Sequence, residues 1–200
     1  MNKKLVQLPM FVFTSVVVVV VFLQSVAFGM GFHTDWTISR YMGSSKWSAI
    51  LFALCNIGIA LSVLKYLYNV KREHNLSWFW FLIVIVMILS FMLLSFCPVG
   101  LFDEQWGQFG VVSYIHRYSS YTLFVSMILI TISTLVEIRR GLAINIFGLF
   151  AVVLACISVY CFLTGFDIFN GYVLFFEYAY IMVNLIFYLL IPKKSDIIRI

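Results

Sequence analysis

A carboxylate inside an apolar run is the residue that most needs a chemical reason. Glu177 interrupts the otherwise charge-free stretch 168–192. It would lie about 9 Å along a helix at 1.5 Å per residue. Glu177, Tyr180, Asn184 and Tyr188 follow i, i+3, i+7, i+11, so a helix gathers them into one polar stripe. Ionisable groups in hydrocarbon are costly, and such a stripe faces partners or a cavity rather than lipid. A second run supplies a matching surface. Ser113, His116, Arg117 and Ser120 follow i, i+3, i+4, i+7 and share a face if their helix begins before Ser113. Arg117 or His116 is therefore the expected partner of Glu177. Two chemistries compete. One is a polar site that grips a lipid headgroup or performs acid–base work, with His116 and Glu177 as catalytic candidates. The other is a structural ion pair, which is simpler because the two charges need only each other. Asp35 and Ser39 complete the candidate ligand-binding set of His116, Arg117, Glu177, Asp35 and Ser39.

His33-x-Asp35 with His116 offers a metal alternative, since imidazole and carboxylate are suitable ligands. No H-x-x-x-H or H-E-x-x-H accompanies it, and the expectation is that no metal or cofactor is bound. No Lys lies mid-run to anchor a Schiff base, and the three histidines do not suit a bis-histidine haem. Walker, dinucleotide and G-x-S-x-G signatures are absent. Cys55, Cys97, Cys156 and Cys161 form no C-x-x-C, and a structural disulfide is not expected.

The elements that must hold these residues follow from composition. Of 200 residues 64% are hydrophobic and 10% charged, against about 25% charged in a soluble domain. Mean hydropathy is +1.06. Lipid is the solvent that suits such a chain. The charge-free stretches predict transmembrane helices over roughly 8–29, 47–66, 77–97, 116–136, 143–164 and 171–191. None alternates with the period of a membrane strand. The predicted fold is all-α, a polytopic membrane bundle of about six helices forming a single domain over 1–200. Ala49/Ala53 and Ala151/Ala155, with Gly148 near the second pair, predict close helix contacts.

Basic residues orient the bundle. With six spans and a cytoplasmic N-terminus, the inner side holds Lys3, Lys4, Lys65, Lys71, Arg72, Arg139, Arg140, Lys193, Lys194 and Arg199. The outer side holds Arg40, Lys46 and Arg117. That bias of ten to three among 13 predicts both termini in the cytoplasm of a multi-pass cell-membrane protein. The same scattering of charge between apolar runs excludes a nucleic-acid partner, which needs a basic stripe on one face. The connections near 65–75 and 137–140 are short and basic, whereas those near 31–46 and 98–117 are longer and more polar. A site built from loops should then face outward. A competing reading treats Lys3 and Lys4 with the following apolar run as a signal peptide cleaved after Ser25-x-Ala27. The apolar run exceeds the usual signal core, and the uncleaved helix leads.

Asp35-Trp-Thr-Ile-Ser-Arg-Tyr-Met-Gly, then Trp47-Ser-Ala-Ile-Leu-Phe, Phe96-Cys-Pro-Val-Gly and Ile115-His-Arg-Tyr form a pattern. It resembles the Frag/DRAM/Sfk-like six-helix membrane proteins and their uncharacterised bacterial relatives. The matching positions are Ile38, Ser39, Gly43, Pro98, Gly100 and His116, while the Pro or Asn-Pro often found beside the Ile-Ser segment is absent. The resemblance implies a six-helix fold and, from its eukaryotic branch, a connection with membrane lipids. The leading expectation is a non-enzymatic membrane protein acting in lipid organisation, sensing or partner binding through an outward-facing polar pocket. Its partners would be membrane lipids and a further membrane protein. A membrane enzyme acting on a lipid headgroup at the outer face is the alternative, and a small-solute transporter the second.

Overall fold

The computed structural model describes residues 4–33, 38–97, 111–138, 142–164 and 172–191, apart from a few side chains within them. All regular structure among these residues is helical. The elements are α1 (Lys4–Phe22), a π turn (Leu23–Ala27), α2 (Ile38–Gly43), α3 (Lys46–His74), α4 (Trp78–Phe96), α5 (Val111–Glu137), α6 (Leu142–Thr164) and α7 (Val173–Leu190). The helical membrane bundle is supported at this level. Four of the helical stretches are long and apolar enough to cross a membrane: Val6–Ala27, Lys46–His74, Trp78–Phe96 and Tyr114–Glu137. Ile144–Ile157 and Leu174–Leu190 are shorter apolar helices within the described residues.

Two features stand out against the sequence expectation, besides the start of α5 at Val111 instead of 116. α3 does not stop near Lys65 but runs on to His74. Lys, Arg and Glu are good helix formers, and their long stems carry charge away from an apolar surface. Tyr66, Leu67 and Val70 stay buried on this extension, so packing continues although the hydropathy falls. Asn75 ends the helix in the left-handed conformation (φ 54°), and its N–H and that of Leu76 both donate to the Lys71 carbonyl. Ser77 then caps α4, its hydroxyl accepting from Trp80 N–H at 3.1 Å. The second difference is α2, a short helix where the sequence suggested only a loop. Its apolar face, Ile38, Tyr41 and Met42, is buried.

Antiparallel neighbours are tied at both ends. At one end the Glu137 carboxylate accepts from Ser77 N–H (3.1 Å) and Ser77 O–H (3.2 Å), joining α5 to the start of α4. One turn in, Trp80 Nε1 donates to Thr134 Oγ1 at 3.0 Å between two fully buried side chains. At the other end Gln24, buried in the π turn, donates to Ser45 Oγ (3.2 Å) and Ser48 Oγ (3.4 Å) at the start of α3. Membrane helices have no hydrophobic drive toward one another, so such polar bonds and close contacts carry their association. Gly148 shows the second device. A methyl group there would sit 2.8 Å from Leu135 Cδ1 and 2.9 Å from Phe187 Cε2. Gly148, Ala151 and Ala155 are all buried, as their small size suggested.

Candidate functional site

The polar stripe of α7 faces inward. Tyr180 O–H donates to the Phe124 carbonyl (3.0 Å), Asn184 Nδ2 to the Tyr180 carbonyl (2.9 Å), and Thr131 Oγ1 to Asn184 Oδ1 (3.2 Å). Tyr188 O–H reaches Met87 Sδ at 3.6 Å. Tyr66 O–H donates to the Tyr188 carbonyl at 2.9 Å. These groups lock α7 to α3, α4 and α5. The lower stripe is thus structural, with its hydrogen-bonding capacity largely consumed by protein.

Glu177, at the head of the stripe, is different. Its Oε2 accepts from Ile38 N–H at 2.8 Å, docking the first turn of α2. Among the described residues no ion pair joins it to Arg117, which is exposed. The expected pair fails because adjacent positions on a helix point about 100° apart, so that His116 can face inward while Arg117 does not. His116 lines the same cavity as Glu177. Its Nδ1 is 2.6 Å from the Cys97 carbonyl oxygen. A carbonyl can only accept, so Nδ1 is the donor in this contact.

That cavity has a volume of about 50 Å³. Among the described residues its polar lining is Asn56, His116, Ser120 and Glu177, drawn from α3, α5 and α7. Phe13, Phe52, Phe91, Leu94, Leu123, Phe124 and Ile181 make most of the apolar wall. Asn56 is 1% exposed, and among the described residues neither amide atom has a hydrogen-bond partner. Ser120 O–H donates back to the His116 carbonyl at 3.0 Å, which leaves its oxygen as an acceptor. Asn56 was not among the sequence candidates. The available signal was a lone amide in the apolar run from Trp47 to Leu64. Ser120 had been placed on the His116 face, which the start of α5 at Val111 supports.

The remaining candidates divide. His33 sits apart in the segment before α2, its Nε2 3.0 Å from the Met30 carbonyl and its N–H donating to Tyr41 Oη at 2.6 Å. Asp35 and the side chain of Ser39 lie outside the described residues. Among the described residues no three His, Cys, Asp or Glu side chains gather as a metal set. The cysteines Cys55, Cys97 and Cys156 are free.

Two further cavities adjoin. An apolar one of about 30 Å³ shares Phe13, Phe91, Leu123 and Ile181 with the polar cavity and extends toward Met87 and Tyr188. A cleft of about 510 Å³ opens between α1 and α7, lined by Val17, Val18, Val21, Phe22, Leu174 and Phe175 among others. The Phe13–Tyr178 stack (ring centroids 6.5 Å apart) and the 2.8 Å bond between Thr14 Oγ1 and Tyr178 Oη close its inner side. Comparison of the chain with protein-family profiles, curated proteins and solved structures finds no match.

Proposed function

We propose that the chain is a six-span protein of the cell membrane, with both termini cytoplasmic, that binds a small polar ligand in an outward-facing pocket. The observation that carries this reading is the meeting of His116 and Glu177 with the unpartnered Asn56 around one cavity. A purely structural pair would be closed on itself, whereas this cavity retains unused hydrogen-bonding capacity. The ten-to-three basic bias supports placing the Glu177 end of the bundle outside. Ile144–Ile157 and Leu174–Leu190 are apolar enough to complete six spans beside the four longer stretches. The likeness to Frag/DRAM/Sfk-like proteins fits the same architecture. Binding is favoured over catalysis because the Ser120 hydroxyl hydrogen is held by a backbone carbonyl instead of by the imidazole.

Cysteine accessibility tests the reading. Asn56→Cys and Ser120→Cys are placed separately in a background with Cys55, Cys97, Cys156 and Cys161 replaced by Ala. In sealed, right-side-out vesicles both should react with a membrane-impermeant thiol reagent from outside, and a cysteine at Lys71 should not. Reaction at Lys71 from outside would reverse the topology. Protection of both pocket cysteines there, with reaction only from the inner side, would remove the outward pocket.

The α1–α7 cleft favours membrane lipid as an additional partner. It is apolar, lies on exposed helix faces, and is large enough for part of an acyl chain. A phosphatidylcholine with a mid-chain diazirine should label Val17–Val26 and Leu174–Tyr178 above the exposed α4 positions Leu82 and Leu89. Equal labelling would leave the cleft without a preferred lipid.

A further inference from the structure

The polar cavity has a charge, a size and a donor–acceptor pattern, and together they specify an occupant. The reasoning rests on the outward-pocket reading above and deepens it. Glu177 is a carboxylate in a largely aromatic and aliphatic wall, with one oxygen held by a backbone N–H and no basic side chain paired to it among the described residues. A carboxylate so placed favours a positive occupant and disfavours an anion. Asn56 adds an amide oxygen with no partner, and Ser120 adds a hydroxyl oxygen whose hydrogen is already directed to a carbonyl. Three oxygen acceptors therefore face one small space.

Size narrows the choice. The cavity holds about 50 Å³, roughly one third of the 150 Å³ known to accept benzene. That is room for one or two non-hydrogen atoms. That space favours a small occupant over a phosphate, a sugar or a quaternary ammonium, and the last has no N–H to donate. A hard metal cation takes six or more oxygen ligands, and among the described residues the lining offers three oxygen-bearing side chains, Asn56, Ser120 and Glu177. An ammonium ion or the end of a primary amine fits on all three counts, since its N–H groups donate and its charge offsets the carboxylate.

We propose that Asn56, Ser120 and Glu177 form a binding site for ammonium or a primary ammonium group. The Glu177 carboxylate supplies the counter-charge, and Asn56 Oδ1 and Ser120 Oγ accept two further N–H bonds. Ile38 N–H holds the carboxylate in place through its other oxygen, which couples the seating of α2 to the site.

The test uses the full chain purified in detergent and equilibrium dialysis with radiolabelled methylammonium at constant ionic strength. Saturable binding of one methylammonium per chain is expected. A tenfold excess of ammonium should displace it, and the same excess of sodium or tetramethylammonium should not. Glu177→Gln and Asn56→Leu should each weaken binding at least tenfold, and Ser120→Ala should weaken it severalfold with an unchanged unfolding midpoint. Absence of saturable binding by the natural chain, displacement by sodium as effective as by ammonium, or full affinity in Asn56→Leu would each overturn the proposal. The competition on the natural chain decides the matter even if a variant does not fold. Failure here with outward labelling of Cys at positions 56 and 120 removes the ammonium site and leaves the pocket. Labelling from the inner side alone removes the pocket itself.

Discussion

Replacing Asn56 by Leu should stabilise the unoccupied protein. The side chain is 1% exposed and both amide atoms lack partners. A buried polar group left unsatisfied costs about 1–3 kcal/mol. Leu carries no polar atom, is of comparable length, and projects toward a cavity of about 50 Å³. At about 24 cal/mol per Å³, filling that space returns at most about 1 kcal/mol more. Crowding against Phe52 and Phe91 works in the other direction, because overpacking commonly costs about 1–3 kcal/mol. The expected net is a gain of up to about 1 kcal/mol in ammonium-free buffer. Denaturant titration in mixed micelles, followed by tryptophan fluorescence, measures it directly. A loss of about 1 kcal/mol or more would refute the reasoning. It would mean that the amide is satisfied in the resting protein and that the polar lining serves stability instead of an occupant.

Three other substitutions test the surrounding framework. Thr134→Val keeps the shape but removes the acceptor of Trp80 Nε1; it should lower stability by about 1–3 kcal/mol in the same titration. Gly148→Ala must displace Leu135 and the fully buried Phe187 ring. A loss of about 1–3 kcal/mol is expected, and an unchanged midpoint would show that α5, α6 and α7 are more loosely packed than described. Glu177→Leu should free α2, raising amide hydrogen exchange of Ile38–Gly43 by about tenfold or more, as expected for losing a charged acceptor. Glu177→Gln retains an acceptor oxygen and should change that exchange far less.

The architecture was legible because apolar runs of spanning length have few alternatives in lipid. What the runs could not show was where helices stop. Hydropathy ends at Lys65, yet the buried face through Tyr66, Leu67 and Val70 carries α3 to His74. The α7 stripe was readable from spacing alone, since a polar face among apolar neighbours must turn inward. Its partners were not readable. Glu177 was assigned a side-chain partner on charge, and its recorded bond goes instead to a backbone N–H far away in sequence. Backbone donors carry no mark in a sequence. Asn56 carries no such mark because a single amide within an apolar helix most often bonds locally or across an interface, and only the fold shows that among the described residues it does neither.

The turn at Asn75 also bears on how the chain is made. α3 and α4 are joined by Asn75, Leu76 and Ser77 alone, so the two helices meet as soon as both have left the ribosome. α5 precedes α7 in the chain, so the Trp80–Thr134 and Glu137–Ser77 bonds can close before α7 has been synthesised. The helix that carries Glu177 and Asn184 along one side thus follows in the chain the helices that hold its partners Ile38 and Thr131. It need never expose that side to hydrocarbon for long. Chain order therefore places the intramembrane carboxylate and amide of this helix after the elements that receive them.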